Sequence, residues 1–306
     1  MKRKKLVVMM ISIISIIIFM GVFIAETAQR KLGSGKNEYA LITSSVYESV
    51  QSEIQRPISI SLSMANDTFM TEMLESEGNY TEQEMVDKMA VYLSRQKEVF
   101  EAQTAFVVSE KTGRYYSYDG LNKVIDTQKD AHDVWYSIFK NSRKAYDLDV
   151  DTDEVNGNCW TVFVNARIED ENQKLLGVCG IGVSMEKLQQ IIKDYEDQNN
   201  VKINFINSEG VVQIDTDSVN IENAYLYDVQ YGKEKDGYAY TNENGEYVVM
   251  RYVDSLNWYL VIHGEKVTVT WKDIAPALLT GVFLIVVNIL AELLILGKTN
   301  VHKKEK

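Results

Sequence analysis

The sequence predicts an α+β fold: a long N-terminal helix followed by two antiparallel-sheet lobes, with an apolar helix near each end of the chain. Two apolar stretches, Leu6–Ala25 and Ile274–Leu296, enclose an acidic segment. That segment begins with helical periodicity, and the period then changes to that of strands in two successive sets. Helices followed by runs of strands favour an α+β arrangement.

Both apolar stretches are long enough to cross a bilayer, which takes about 20 apolar residues as a helix. Basic residues lie beyond the outer end of each stretch: Lys2, Arg3, Lys4, Lys5, Lys298, Lys303, Lys304 and Lys306. By the positive-inside rule we expect a two-pass protein of the cell membrane, with cytoplasmic termini and an extracytoplasmic main domain. The first stretch also permits a cleaved signal peptide, but it exceeds the roughly 7–15 apolar residues of such peptides, which favours an uncleaved anchor.

Two polar residues interrupt the second apolar stretch, Asn288 and Glu292. Their i, i+4 spacing places them on one helix face. An ionisable group in a membrane segment is a functional hypothesis, often a contact with another helix. We expect the pair to couple this helix to the first span or to a partner; alternatively, Glu292 reaches headgroup water about a turn from the cytoplasmic end.

The segment between the apolar stretches, residues 26–273, is strongly acidic. Its 24 basic and 42 acidic residues leave a net charge of −18. Such a charge disfavours nucleic acid as a partner and is compatible with cationic ones, although it also simply keeps a protein soluble. Two cysteines, Cys159 and Cys179, make no disulfide framework, and we expect free, buried thiols.

Helical periodicity predicts a long helix over about Asn37–Leu74, which Pro57 should kink or break. A second amphipathic helix is predicted over Thr81–Phe100. The first set of strands is Thr104–Ser109, Arg114–Tyr118, Lys144–Val150, Trp160–Ile168 and Leu175–Val183, with a short helix at Asp130–Lys140. After a connecting helix at Met185–Glu196, capped by Ser184, the second set is Val201–Ile206, Val211–Asp215, Gly237–Asn242, Glu246–Val253 and Trp258–His263.

Four places in this segment carry a resemblance to a known family. They are Arg56–Ser59; Asp133–Tyr136 with Ala145–Asp149; Leu175–Ser184; and Gly245–Tyr247 with Trp258–Val261. In order and spacing they resemble the double Cache family of extracytoplasmic sensor domains, although no single place is specific. The resemblance implies two PAS-like lobes and signal transduction from a bound small molecule, as in bacterial chemoreceptors, sensor kinases and sensor diguanylate cyclases.

The resemblance also divides the chain. It implies cytoplasmic tails at 1–5 and 297–306, spans at 6–25 and 274–296, and a double Cache domain at 26–273 with a membrane-distal lobe at about 98–190 and a proximal lobe at about 200–265. In the family the ligand binds in the distal lobe. The residues implied for its pocket are Trp135, Tyr136, Tyr146, Asp149 and one of Tyr116 and Tyr118. Pockets have mostly aromatic and apolar walls, but each of these aromatic residues could instead fill the core.

Two departures from the family pattern narrow the ligand. Members that bind free amino acids resemble one another in an Arg two residues before the Trp and in an Asp on the last distal strand. This chain has Asp133 and Gly182 there, so an ordinary α-amino acid is not expected. With Asp149, Asp151 and Asp153, Asp133 offers carboxylates around the pocket, which favours an amine or other cationic metabolite beside Trp135. A neutral ligand, such as a purine stacked on Trp135, stays open.

The alternating carboxylates of residues 147–153 also suggest calcium. An EF-hand loop starting at Asp149 would need Gly at its sixth position and Glu at its twelfth, and the chain has Glu154 and Trp160 there. We therefore expect no metal site, and the run is otherwise interpreted as a solvated strand end. His132, beside the Trp–Tyr pair, could line the pocket.

Two functions fit these patterns, and a third is not expected. The first is a membrane-anchored small-molecule sensor; because residues 297–306 are too few for an output domain, we expect it to signal through a membrane partner or a homodimer. The alternative is an accessory membrane protein whose Cache-like domain binds a protein partner. An enzyme is not expected, and neither is a cofactor, since the chain has no nucleophile elbow, zinc-binding helix motif or phosphate loop.

Overall fold

The computed structural model describes residues 2–226, 238–241 and 246–301, without the side chains of residues 2–6, 238, 292 and 295–301. The chain divides into two units. One is made of residues 1–41 and 265–306, and the other of residues 42–264. The predicted α+β fold, with a long N-terminal helix and two antiparallel sheets, is confirmed.

Six α-helices lie in the described part of the chain. They are α1 Lys2–Ala65, α2 Thr68–Glu75, α3 Glu82–Phe100, α4 Val134–Ser142, α5 Met185–Asn199 and α6 Trp271–Val301. Helix α1 continues through Pro57, so the break predicted there is not observed. Pro57 is buried, and the packing of this helix face compensates for the hydrogen bond that proline cannot make.

The strands form two sheets, both antiparallel throughout. The first sheet has the order β3-β2-β1-β6-β5-β4, and the second has the order β8-β7-β11-β10-β9. Their bounds are β1 Thr104–Ser109, β2 Arg114–Ser117, β3 Gly120–Val124, β4 Tyr146–Asp153, β5 Cys159–Glu169, β6 Leu175–Ser184, β7 Lys202–Ile206, β8 Val212–Ile214, β9 Tyr238–Thr241, β10 Tyr247–Val253 and β11 Trp258–Gly264.

The two faces of the first sheet have different partners. One face, here called the helix-facing side, packs against buried residues of α1, α2 and α3, such as Met64, Met70 and Met89. The other face, here called the cavity-facing side, packs against Tyr136 and Phe139 of α4. Since side chains alternate along a strand, neighbouring residues of one strand belong to opposite faces.

Helix α3 is fixed at its start by a capping box. The Glu84 N–H donates to Thr81 Oγ1 (3.3 Å), and the Thr81 N–H donates to Glu84 Oε2 (2.9 Å). This pairing satisfies N–H groups that have no partner within the helix. Helix α3 then buries Met85, Met89 and Leu93 on the helix-facing side.

Two features differ from the sequence predictions. Strand β3 is not predicted, because Gly120–Val124 is short and lacks apolar alternation; it is held by pairing with β2 through a bulge at Tyr115/Tyr116. Both cysteines are free, as predicted, but only Cys179 is buried. Cys159 is exposed because it opens β5 at the rim of the sheet, opposite Asp153.

The second sheet contains the five strands that the sequence predicts. Its buried residues include Ile206, Met250 and Val261. Gly237 and Asn242, the predicted ends of its β9 strand, lie outside the described residues. This sheet belongs to the same unit as the first, since both fall within residues 42–264.

In the other unit, the start of α1 and helix α6 are the two helices that are long and apolar enough to cross a membrane. They pack against each other where Gly281 of α6 approaches the Met20 side chain of α1. A side chain larger than hydrogen at residue 281 would collide with Met20. Small residues of this kind allow close approach between membrane helices.

Candidate functional site

A small cavity opens on the cavity-facing side of the first sheet, and its apolar wall is aromatic. The ring of Phe106 contacts three other rings of this wall. Its centroid lies 5.4 Å from that of Tyr115, 6.1 Å from that of Trp135 and 5.9 Å from that of Phe163. All three contacts are edge-to-face, which aromatic rings prefer. About 30 Å³ of the cavity admits the centre of a water-sized sphere, more than the roughly 10–15 Å³ that one water needs.

Strand β4 supplies the acidic wall of this cavity. Asp149, Asp151 and Asp153 all line it, because residues two apart on a strand point to the same face. Asp153 is only 1% exposed. Its Oδ1 accepts the Val155 N–H (3.0 Å), whereas its buried Oδ2 has no hydrogen-bond partner in the described part of the chain.

Asp149 is the least compensated of these carboxylates. No hydrogen bond or ion pair joins its side chain to the described residues, and burial raises its pKa to about 7, with further contributions from Asp151, Glu222 and Asp147. Burial also raises the pKa of Asp153, partly opposed by the Val155 N–H. Burying charge without a partner is unfavourable, so this wall favours a bound cation.

Lys123 of β3 is the cation that the protein itself brings to the cavity. Its Nζ lies 2.8 Å from Asp133 Oδ1, 2.8 Å from Glu154 Oε2 and 3.4 Å from Asp130 Oδ2. Although burial acts to lower the pKa of Lys123, hydrogen bonds to Asp133 and Glu154 raise it above its ordinary value. Asp133 is 1% exposed; its Oδ2 accepts the Asp126 N–H (2.7 Å), whereas its buried Oδ1 is compensated by the Lys123 ion pair in the described part of the chain.

The structure brings together three of the predicted pocket residues: Trp135, Asp149 and Asp151 all line the cavity. His132, which the sequence offers as a further lining residue, does so too, with Nδ1 3.9 Å from Asp151 Oδ2. Asp133 does not line the cavity but is the buried counter-ion of Lys123.

The four predicted tyrosines lie elsewhere. Tyr136 packs on the cavity-facing side, but its hydroxyl donates to Glu110 Oε2 (2.8 Å) and it does not line the cavity. Tyr116, Tyr118 and Tyr146 all pack on the helix-facing side. The alternation of side chains explains this, since odd-numbered residues of β4 face the cavity and Tyr146 therefore faces away.

The other three tyrosines each have a partner of their own. The Tyr116 hydroxyl donates to Glu77 Oε1 (2.7 Å), and Lys97 Nζ lies 4.4 Å from the centre of the Tyr118 ring. The Tyr146 hydroxyl donates to the carbonyl of Ser255 (3.3 Å). These three residues are accounted for by packing, which is the alternative the sequence leaves open for them.

Several lining residues are not among those predicted from the sequence. They are Phe106, Tyr115, Asn122, Lys123, Thr152, Glu154, Phe163 and Asn165. For Phe163 and Asn165 a signal exists, because the register pairs them with Asp149 and Asp147 across the β4–β5 ladder. For Lys123 there is none, since the strand that carries it is not apparent in the sequence.

A second and more open cleft, of about 570 Å³, lies beside α1 in the same unit. Its lining includes Arg56, Phe100, Cys159 and Trp160. None of the predicted pocket residues lies there. Its charged side chains include the ion pair between Lys187 and Glu53, so this cleft lacks the unpaired buried carboxylates of the smaller cavity.

In the unit that contains the apolar helices, Asn288 lies against α1. Its Nδ2 donates to Ser12 Oγ (2.6 Å). This contact joins α6 to the start of α1 within one chain. The side chain of Glu292, the other residue predicted to couple the membrane helices, lies outside the described residues.

No protein-family model matches the sequence, but many solved structures share its fold. The sensor domain of the V. cholerae histidine kinase DctB matches with a TM-score of 0.54 and 12% identity, over 77% of this chain and 98% of that one. The sensory domain of the Campylobacter jejuni chemoreceptor Tlp3 with isoleucine bound gives 0.55 and 11%, over 81% and 98%.

The ligand-binding domain of the Pseudomonas aeruginosa amino acid chemoreceptor PctC, in complex with GABA, is also similar. Its TM-score is 0.51 at 12% identity, over 76% of this chain and 100% of that one. At such identities the likeness establishes the fold alone. These matches confirm the predicted fold, that of the double Cache sensor domains, and the matched domains are sensor or ligand-binding domains.

Proposed function

We propose that the chain is a membrane-anchored sensor whose extracytoplasmic domain binds a small cationic ligand, an amine, in the cavity of the first sheet. The observation that carries this proposal is the acidic wall of β4. Asp149 has no counter-ion in the described part of the chain, and Asp153 buries an oxygen without a hydrogen-bond partner. An alkylammonium group would supply a counter-ion for Asp149 and a hydrogen-bond donor for Asp153.

The aromatic wall supports the same ligand class. Trp135 lies at the cavity beside Asp149 and Asp151. A cation over an indole face gains about 0.5–2 kcal/mol, more when it is desolvated. A neutral purine could stack on Trp135, but it would leave the carboxylates of β4 without a counter-charge.

The geometry disfavours an α-amino acid. Lys123 already pairs with three carboxylate oxygens, so a ligand carboxylate beside it would meet charges of its own sign. At Gly182 an added Cβ would lie 2.6 Å from Cγ2 of both Thr104 and Thr161, so a side chain that could hold an amino group does not fit there. We therefore assign this chain a different ligand class from the isoleucine of Tlp3.

The membrane arrangement is part of the proposal. Two apolar helices near the ends of the chain suit a two-pass protein, and the basic residues beyond them suit cytoplasmic termini. The extracytoplasmic domain then comprises residues 26–273, with the six-stranded first sheet in its distal lobe and the second sheet in its proximal lobe. Ligand binding would act through α1 and α6 on a membrane partner or on a second copy of the chain.

Isothermal titration calorimetry on the full chain in lipid nanodiscs tests the ligand class. Butylamine is expected to bind, and butyrate, which has the same carbon chain and the opposite charge, is not. Asp149→Asn should weaken butylamine binding about tenfold or more, because a hydrogen bond to a charged group contributes about 1.5–3 kcal/mol.

Asp147→Asn is the matched control. Asp147 lies on the same strand, outside the cavity lining, and pairs with Lys144 (2.8 Å). This substitution should change butylamine affinity less than threefold, on the scale of a surface ion pair. Binding of butyrate as tightly as butylamine, or an Asp149→Asn variant with unchanged affinity, would contradict the amine site.

A further inference from the structure

We propose that Lys123 sets the charge of the ligand: its ammonium occupies one of two carboxylate groups at the cavity and leaves the site for a monoamine. This inference rests on the proposed function, since it takes the ligand to be cationic. It goes further by naming the residue that distinguishes monoamines from diamines.

The first carboxylate group already contains a cation of the protein. Lys123 Nζ lies within 3.4 Å of Asp133, Glu154 and Asp130. An ammonium has three N–H donors, and here Lys123 donates a hydrogen bond to Asp130 Oδ2 (3.4 Å) and forms ion pairs with Asp133 and Glu154. Lys123 and Glu154 also line the cavity, so this occupied group forms part of the wall that a ligand would meet.

The second carboxylate group has no such cation. Among the described residues, no lysine or arginine forms an ion pair with Asp149, Asp151 or Asp153. His132 Nδ1 lies 3.9 Å from Asp151 Oδ2, and Lys97 attracts Asp153 without forming an ion pair with it. Asp151 Oδ1 accepts the neighbouring Thr152 N–H (2.7 Å). The buried Asp153 Oδ2 lacks a partner.

The two groups face one narrow cavity, so charge in one affects what binds at the other. A single ligand ammonium can take the place beside Asp149 and Asp153. A second ammonium on the same ligand would approach the charge of Lys123, and like charges a few ångströms apart repel strongly when water is excluded. The ligand class that fits is therefore a primary monoamine with a small apolar part facing Trp135.

A purely structural role for Lys123 makes a different prediction. In that case Lys123 only holds β3 against Asp133, and its replacement would lower stability and leave the preference between amines unchanged. The preference is therefore the informative readout, since a structural role would not move it.

The test compares butylamine with 1,4-diaminobutane by isothermal titration calorimetry on the full chain in nanodiscs. The wild-type protein should bind butylamine at least as tightly as the diamine. In Lys123→Gln the diamine should gain about tenfold to hundredfold relative to butylamine, the range expected for one hydrogen bond between charged groups. Lys123→Arg restores the positive charge and should restore the preference for butylamine.

Two further variants keep the test decisive. Lys123→Gln leaves the Asp133 carboxylate buried without its cation. The double variant Lys123→Gln with Asp133→Asn removes both charges, and the comparison of the two amines is repeated on it. In this variant Glu154 remains as the acceptor for a second ammonium. Lys144→Gln is the matched control, because it removes a lysine paired with Asp147 outside the cavity, and it should keep the wild-type preference.

The outcomes separate the two proposals. A wild-type protein that already prefers the diamine tenfold overturns the role of Lys123 and leaves the amine site standing. The same follows if the preference is unchanged in both Lys123→Gln and the double variant Lys123→Gln with Asp133→Asn. If neither amine binds the wild-type chain, the amine site fails and the role of Lys123 fails with it.

Discussion

The helix-facing and cavity-facing sides of the first sheet both bury carboxylates, but only one of them satisfies the carboxylates it buries. On the helix-facing side, Glu77 is 2% exposed and accepts hydrogen bonds from Ser109 (2.6 Å), Thr112 (2.8 Å) and Tyr116 (2.7 Å). On the cavity-facing side, Asp149 has no such bonds in the described part of the chain.

The carboxylates of the two sides have opposite effects on stability. A buried carboxylate with three hydroxyl donors stabilises the fold in which it lies. Buried carboxylates without partners lower stability, and folding alone gives no reason for them. Under the proposed function, the cavity-facing side gives up stability for ligand binding, which is common where proteins hold ligands.

The largest expected effect is on the satisfied side. Glu77→Ala removes the acceptor of three hydroxyl groups and should lower the free energy of unfolding by about 3 kcal/mol or more, as measured by denaturant titration of the full chain. Glu75→Ala, an exposed position at the end of α2, should change it by about 0.5 kcal/mol or less. An equal effect of both substitutions would remove the contrast between the two sides.

On the unsatisfied side, Asp149→Asn should have the opposite sign. Burial raises the pKa of Asp149 to about 7, so the ionised group destabilises the ligand-free fold above that pH. The variant should be more stable than wild type at pH 8, by about 1–2 kcal/mol once partial exposure is allowed for. A loss of stability in this variant would show that Asp149 has an internal partner.

The pH dependence follows from the same carboxylate. An amine requires ionised Asp149, so its affinity should fall as the pH drops through about 7, approaching tenfold per pH unit below it, and binding at pH 6 should release a proton. Ligand-free stability should rise over the same drop, because a raised carboxyl pKa means that the folded state binds the proton more tightly.

Calorimetry at pH 6, 7 and 8, in buffers of different ionisation enthalpy, measures both the affinity and the proton release. Asp149→Asn should flatten most of the affinity profile. An affinity independent of pH in the wild-type chain would rule out an ionised Asp149 as the ligand contact.

The aromatic wall should contribute less than the carboxylates. Trp135→Leu keeps an apolar surface but removes the indole face, and amine affinity should fall about 3- to 30-fold, the range of a cation–π contact. Trp160→Leu, in the cleft beside α1, is its control and should leave amine affinity unchanged in the same titration. Equal losses would point to the cleft as the site.

The smallest effect is expected at Tyr146. Because it lies on the helix-facing side and donates to the Ser255 carbonyl, Tyr146→Phe should leave amine affinity within about twofold and cost about 1 kcal/mol of stability. Titration and unfolding of the same variant measure the two values. A tenfold loss of affinity would place this tyrosine in the pocket, as the resemblance implies.

The fold was largely predictable from the sequence because its signals are local. The switch from helical to strand periodicity places both sheets, and Thr81 with Glu84 marks the start of α3. Strand β3 was not predictable, since a five-residue polar strand has no apolar pattern of its own and forms through pairing with β2.

The site was predictable only in part. The spacing of Asp149, Asp151 and Asp153 shows that they share a face, and the same rule puts Tyr146, three residues before Asp149, on the other. Sequence spacing does not tell which face meets a cavity. Lys123 reaches the carboxylates only through the sheet order, which no local pattern contains.

An experimental structure of the protein with butylamine bound tests the amine site in the cavity of the first sheet most directly. We expect the amine nitrogen within about 3 Å of carboxylate oxygens of Asp149 and Asp153, and the alkyl chain of the amine against Trp135. An amine bound in the cleft beside α1, or one held in the cavity without contact to either carboxylate, would contradict it.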